Sequence, residues 1–402
     1  MATRFENMLK PFVISLIKVY NTIQHSLIYE GKYILKGRPE GGDQIRNYNR
    51  ERPFGPQKFF CFAPFKSLYF GADGKVLSCC YNREYVLGNY PASSIKEIWN
   101  GSKIMKLKAA MKNNDLTLGC IACKDQFDDK NYHAILSINY DKIPFNKDFP
   151  TLMEFELSNI CNLGCIMCDE RFSTYIAAQK NLPAMKMPYD EVFVNQLEEF
   201  IPYLKEAKFL GGEPFLIPLY TDIWEKIIDL NPECRIIVQT NATILPDKAR
   251  HLMEKGNFHF NVSIDSFRKT TYESIRINAD FEKTMENFRT IYQYCMKRDR
   301  YMGIAVCPVK QNWRELPEII RYGNELNIAV YFNRVWNPDE CSLWNWDPVN
   351  LLMIYESLGK EVFSCSNDIQ HKNVQHYNEF IGQIYAWYLD SVKREEKNKI
   401  SS

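Results

Sequence analysis

The sequence has no apolar run near the ~20 residues that a membrane-spanning helix requires, and no signal-peptide cleavage pattern. No integral membrane segment is expected, and the setting reads as cytoplasmic and reducing. It also lacks any excess of charge. Fifty Lys and Arg face 49 Asp and Glu, leaving +1, so neither nucleic acid nor an acidic surface is an expected partner. The six His are scattered without a Ser–His–Asp context, and "GGDQ" near residue 41 is a connector rather than a phosphate cradle. No repeat at solenoid spacing is present. What remains is a globular composition, 46% hydrophobic and 25% charged, with core enough for more than one domain.

Cysteine is what the chain does have. There are 13, and without a secretion signal clustered thiols point to metal rather than to disulfides. Eight lie in the first half: Cys61, Cys79, Cys80, Cys120, Cys123, Cys161, Cys165 and Cys168. The other five, Cys234, Cys295, Cys307, Cys341 and Cys365, are scattered and read as inert core thiols.

The hydrophobic period divides the chain. Residues 1–55 open with an amphipathic stretch, "MLKPFVISLIKVY", and end in a polar Gly/Pro-rich connector. Residues 56–130 carry two short strand-like runs around "GADG", a hairpin signal, then a helix with Ser94 as N-cap and Glu97 completing a capping box. From 150 to 335, six strand candidates ("TLMEFELSN", "AKFLGG", "RIIVQTN", "FHFNVSID", "YMGIAVCPV", "NIAVYFNRV") alternate with helical segments. That alternation predicts parallel βα units, with ligands at the C-terminal edge of the strands. Residues 336–402 read as a helical cap whose Trp336, Trp344 and Trp346 either close the barrel mouth or pack the helices.

"CNLGCIMC" places Cys161, Cys165 and Cys168 just past the first strand. Three such thiolates can hold three corners of a cubane iron–sulfur cluster and leave one iron open to chelate a small molecule; structural zinc is the competing reading. Company favours the cluster. The second strand ends in "GGEP", where Gly211 and Gly212 admit a ligand to the backbone and Glu213 can pair with an ammonium. Polar "TNAT" and "VSIDS" follow the next two strands.

This combination resembles the radical S-adenosylmethionine (AdoMet) superfamily over roughly residues 150–335. The resemblance implies a (βα)6 partial TIM barrel, an α/β fold preceded here by a small cysteine-rich α+β domain. It implies a 4Fe-4S cluster on Cys161, Cys165 and Cys168, the catalytic trio, that reduces AdoMet to a 5′-deoxyadenosyl radical able to take hydrogen from a substrate. It further places the cofactor's amino group at Gly211, Gly212 and Glu213, its ribose or carboxylate near Ser263 and Arg276, and its adenine near Met167 and Val306. Met167 stands where the family often has an aromatic residue. Strand alternation then turns Cys307 away from the cofactor and into the core.

Cys61, the Gly74-x4-Cys79 spacing and Cys120-x2-Cys123 resemble the first half of a SPASM domain and, more closely, the four-cysteine twitch domain. The resemblance implies a second 4Fe-4S cluster, with Cys80 an alternative to Cys79 and a four-cysteine zinc site the competing reading. Such domains usually follow the barrel; here the motif precedes it. Relatives of this kind modify peptides or oxidise carbohydrate-like small molecules and draw electrons from a donor such as flavodoxin or ferredoxin. A peptide substrate is expected first and a small carbohydrate-like one second, although no leader-binding domain is recognisable. A non-enzymatic iron–sulfur electron carrier is the reading of another class.

Overall fold

The computed structural model describes residues 43–132 and 135–401. The amphipathic stretch near the N-terminus lies outside the described residues. One nine-stranded sheet organises the rest, in the order β3-β2-β1-β4-β5-β6-β7-β8-β9. The strands are β1 Ser67–Phe70, β2 Lys75–Leu77, β3 Gly88–Asn89, β4 Leu152–Phe155, β5 Glu206–Phe209, β6 Arg235–Thr240, β7 Phe258–Ser263, β8 Met302–Val306 and β9 Ala329–Phe332.

From β4 to β9 every neighbour is parallel, as the alternation of strand and helix requires. The first three strands form an antiparallel meander around "GADG". Gly74 turns it at φ +84°, where a Cβ would lie 2.4 Å from the Tyr90 carbonyl oxygen. That close approach admits glycine alone. The capping box forms as expected: the Ser94 hydroxyl accepts from the Glu97 N–H, and the Glu97 carboxylate accepts from the Ser94 N–H at 2.8 Å.

The sequence sets the cysteine-rich segment before the barrel; the structure joins the two edge to edge. β1 pairs in parallel with β4, Tyr69 opposite Glu154 and Phe70 opposite Phe155. Two short strands alone bury little apolar surface. Docked on β4, Phe70 stacks on Phe155 and becomes part of the main core.

The two faces of the sheet differ. Met153, Phe155, Phe209, Val238, Phe260, Ile304 and Val306 are fully buried against the helices. Trp224, on α1 (Pro218–Leu230), meets Phe209 and Phe258 edge-on at 5.6 and 5.5 Å. Many of the alternate positions are polar. Lys208, Gln239, Asn261 and Ser263 are half-buried between fully buried neighbours. Parallel strands usually bury apolar side chains on both faces, so this inner face is set up for something other than packing.

Past β9, Trp336, Trp344 and Trp387 meet edge-on, 5.2 to 5.9 Å apart. They seat the segment after β9 on α2, Asp368–Ser401, which is a packing role. The same helix reaches β9 itself: Asn373 Oδ1 accepts the Val330 N–H at 2.8 Å, and His376 Nδ1 lies 2.8 Å from the Val330 carbonyl oxygen. Among the described residues no helix is long and apolar enough to cross a membrane.

Candidate active site

The loop after β4 carries Cys161, Cys165 and Cys168 and is laced to its surroundings by backbone bonds. Gly164 and Ile166 donate to the carbonyls of Ile277 and Ile275, Cys168 donates to Cys165, and the Cys161 N–H donates to Thr174 Oγ1 at 3.1 Å. Gly164 admits no side chain, because a Cβ would lie 2.8 Å from the Tyr175 ring. Burial, and next the thiols' effect on one another, pushes Cys168 up to about 12; burial pushes Cys161 to about 11 and raises Cys165. Three half-buried thiols crowded in this way become thiolates readily only around a cation.

Arg276 Nη1 points at Cys165 Sγ, 3.9 Å away, and Asn241 Nδ2 points at Cys161 Sγ at the same distance. The Arg276 side chain is buried and paired with Asp265 at 2.8 Å. Ser263 lies on the inner face, where its Oγ accepts from Gln239 Nε2 at 3.0 Å. Met167 and Cys307 pack together beside Ile275, Val335 and Cys341.

Gly211 and Gly212 both take positive φ, +79° and +50°, and a Cβ on Gly212 would lie 2.1 Å from the Ile160 carbonyl oxygen. The loop after β5 therefore presses directly on the trio loop. Glu213 is fully buried. Its oxygens accept from Thr240 Oγ1 at 2.7 Å, the Asn241 N–H at 2.7 Å and the Phe215 N–H at 3.2 Å. Burial outweighs those donors and pushes its carboxyl up to about 7. In this structure Glu213 stitches the loops after β5 and β6 together, and a direct ammonium contact stays a proposal.

One expectation is corrected by strand register. Val306 follows Met302 and Ile304 on the helix side of β8, fully buried in the main core, so it does not face a ligand on the inner face. Its neighbour Cys307 turns the other way. The Cys307 N–H donates to Asp265 Oδ1 at 2.7 Å, and its thiol, pushed up mainly by burial, lies within reach of the charges of Asp265, Arg276, Cys165 and Cys168.

The N-terminal cysteines form a second site. A cavity is lined by Cys61, Cys79, Cys120 and Cys123, with Phe60, Met111, Leu116 and Tyr140 among its walls. Three sulfurs already accept hydrogen bonds: Cys61 from the Ala63 N–H at 3.3 Å, Cys79 from the Asn82 N–H at 3.4 Å, and Cys120 from Asn82 Nδ2 at 3.4 Å. Burial pushes Cys79 to about 11 and Cys120 to about 12. Cys80 does not line this cavity. Its electrostatic neighbours are Glu154 and Lys208, on the inner face.

Among the described residues no three His, Cys, Asp or Glu side chains converge on a point that a single metal ion could fill. Tetrahedral zinc needs its sulfurs ~2.3 Å from one centre. A cubane takes its thiolates at separate corners, and sets of three and four cysteines are of the kind that hold one.

Residues 155–323 match the family model of the radical SAM superfamily, and residues 61–124 match that of SPASM, an iron-sulfur cluster-binding domain. Residues 155–323 form a radical SAM superfamily domain, and residues 61–124, ahead of the barrel, a SPASM-like one; the cofactors of these two domains are 4Fe-4S clusters and AdoMet.

Curated relatives include a GTP 3′,8-cyclase of Limosilactobacillus fermentum, 22% identical over 181 residues (45% of this chain, 52% of that one). An AdoMet-dependent heme synthase of Methanosarcina barkeri is 27% identical over 185 residues (45% and 49%). The chain thus spans about half the length of the curated relatives it matches. Solved structures include anSMEcpe with bound AdoMet, 19% identical, covering 52% of this chain and 55% of that one at a TM-score of 0.39. Streptococcus suis SuiB bound to S-adenosylmethionine is 12% identical, covering 66% and 61% at a TM-score of 0.39.

The sequence reading missed Asp265, Tyr140 and the polar inner face. The signal was present as single polar residues at alternate positions of otherwise apolar strands, in "LMEF", "EAKF" and "FNVS".

Proposed function

We propose that this radical SAM enzyme abstracts hydrogen from a peptide held against the inner face of the sheet, between its two thiol sites. The observation that carries the reading is the link between the four-thiol cavity and the inner face. Tyr140 lines the four-thiol cavity, and its hydroxyl donates to Glu154 Oε1 on the inner face at 2.9 Å.

Cys161, Cys165 and Cys168 would hold one cluster, and Cys61, Cys79, Cys120 and Cys123 the other. With AdoMet bound and the first cluster reduced, this chemistry supplies a 5′-deoxyadenosyl radical. The chain's own residues do the rest. Gly211 and Gly212 bring backbone close to the cofactor's amino group, and Ser263, Met167 and Cys307 border the space beside the trio. Arg276 places a fixed positive charge against Cys165, and N–H···S bonds of this kind favour the more reduced cluster. Four protein thiols leave the second cluster no open iron, which suits it to carrying electrons, and a flavodoxin- or ferredoxin-type donor would supply them.

An open sheet supports a chain-like substrate, because among the described residues no strand joins β3 to β9 to close the barrel. A carbohydrate-like small molecule is the second reading, favoured by the hydrogen-bonding character of Gln239, Asn261 and Ser263. The test is anaerobic reconstitution with iron and sulfide, then reductant and AdoMet. Release of 5′-deoxyadenosine is expected, with deuterium transferred from a labelled peptide. No 5′-deoxyadenosine from a fully loaded protein would end this reading.

A further inference from the structure

The inner face is polar, yet its acids are each paired with a base. Glu154 and Lys208 are cross-strand neighbours on β4 and β5, with Nζ and Oε2 3.6 Å apart. Glu206 and Arg235 are neighbours on β5 and β6, at 2.6 Å. Glu156 faces Arg83 at 3.5 Å, and Asp265 holds Arg276 at 2.8 Å. Each of these acids therefore has its own base. Three further bases sit at the margins: Lys142 shares the field of Glu206, exposed Arg334 that of Glu379, and Arg300 lies near His259 with its Nε unpartnered. His259 is neutral at pH 7, because burial and the nearby Arg235 and Arg300 push it down to about 3.

What the face offers is neutral hydrogen bonding. Gln239 accepts from the Tyr331 hydroxyl at 3.1 Å and donates to Ser263 at 3.0 Å. Beside it, Asn261 Oδ1 is buried and without a hydrogen-bond partner. An acceptor left in that state is satisfied by an incoming O–H or N–H. A carboxylate or ammonium brought to the middle of the face would surrender its water and find Lys208, Arg235, Glu154 and Glu206 already engaged with one another.

We infer that the inner face between the two thiol sites accepts a neutral group bearing hydroxyl or amide functions and rejects carboxylates and ammonium groups. The inference rests on the proposed function for its location. A serine, threonine or asparagine side chain of a peptide and a free polyol share this chemistry.

The experiment is equilibrium dialysis of the reconstituted, unreduced holoenzyme with AdoMet against Gly-Gly-X-Gly-Gly probes, X being Ser, Asn, Asp or Lys, and against myo-inositol. Neutral probes should bind about tenfold or more tighter than charged ones. Preference for the Ser or Asn peptide over inositol assigns a peptide source, and the reverse a small-molecule source. Equal or tighter binding of the Asp or Lys peptide overturns the inference, as does no binding by any probe. Two variants sharpen it. Glu154→Gln leaves Lys208 without its carboxylate and should shift preference toward the Asp peptide; Lys208→Met should shift it toward the Lys peptide. Preferences unchanged in both overturn the inference. Release of 5′-deoxyadenosine is scored separately, so failure of the proposed function and failure of this selectivity are read from different assays.

Discussion

The two thiol sites hang from one sheet but are built to different plans. The trio sits on a loop pressed between the loops after β5 and β7, with Arg276 against one sulfur and Asn241 against another. The four-thiol cavity is walled by Phe60, Met111 and Leu116 and bonded through backbone and Asn82 donors. On the proposed function, three thiols with charged and polar company would leave one iron reachable, and four thiols in a mostly apolar box would close the site. Ligand count and wall polarity together would then separate a site for chemistry from a site for electrons.

The largest test removes one thiol from each. Cys165→Ala should reduce 5′-deoxyadenosine to background and take iron from about eight to about four per chain, since the two clusters carry four irons each. Cys123→Ala should lose a similar share of iron yet still release 5′-deoxyadenosine, while substrate turnover disappears. If both variants fail alike in cofactor cleavage, the division of labour is wrong. Zinc retained by Cys61, Cys79, Cys120 and Cys123 after anaerobic purification would count equally against it.

Next in size is the buried ion pair beside the trio. Arg276→Met leaves Asp265 without its counter-charge, an expected cost of about 3–5 kcal/mol in chemical denaturation. The double variant with Asp265→Asn should recover part of that cost.

A smaller test addresses the correction at β8. Val306→Ala should cost roughly 1–3 kcal/mol of stability, as loss of a buried branched side chain does, and leave AdoMet affinity unchanged. Cys307→Ala should cost on the order of 1 kcal/mol or less and weaken AdoMet binding in equilibrium dialysis. The opposite pattern would restore Val306 as the residue facing the cofactor.

The smallest effect concerns pH. The Glu213 carboxyl is raised from its ordinary 4.5 to about 7, so folding favours its protonated form. Its contribution to stability is full below pH 4.5 and is lost as pH rises through 7. Thermal melts of the metal-free protein should show that decline, and Glu213→Gln should flatten it.

Much of this was legible in the sequence. Cysteine spacing, the paired glycines and the strand–helix alternation are local signals, and local signals survive reading one residue at a time. The helix segments and the Ser94 capping box belong to the same class. Register does not. Whether Val306 or Cys307 faces inward depends on which partner β8 aligns with, and a shift by one residue reverses every side chain. Continuity of the sheet was hidden for a similar reason, because β1 reaches β4 across more than 80 residues of sequence. Pairing of Arg276 with Asp265, or of Tyr140 with Glu154, is likewise set by tertiary approach alone.

The contacts of α2 with β9 bear on how a polypeptide substrate can dock. An unpaired edge strand is an invitation to strand addition, by a substrate or by another copy of the chain. At Val330 that invitation is withdrawn: the outward N–H and carbonyl are already taken up by Asn373 and His376. A peptide approaching from this side cannot extend the sheet there. On the proposed function, a peptide arriving from this side would be recognised by side chains in the interior, so the identity of the residue presented would matter more than the conformation of the chain that carries it.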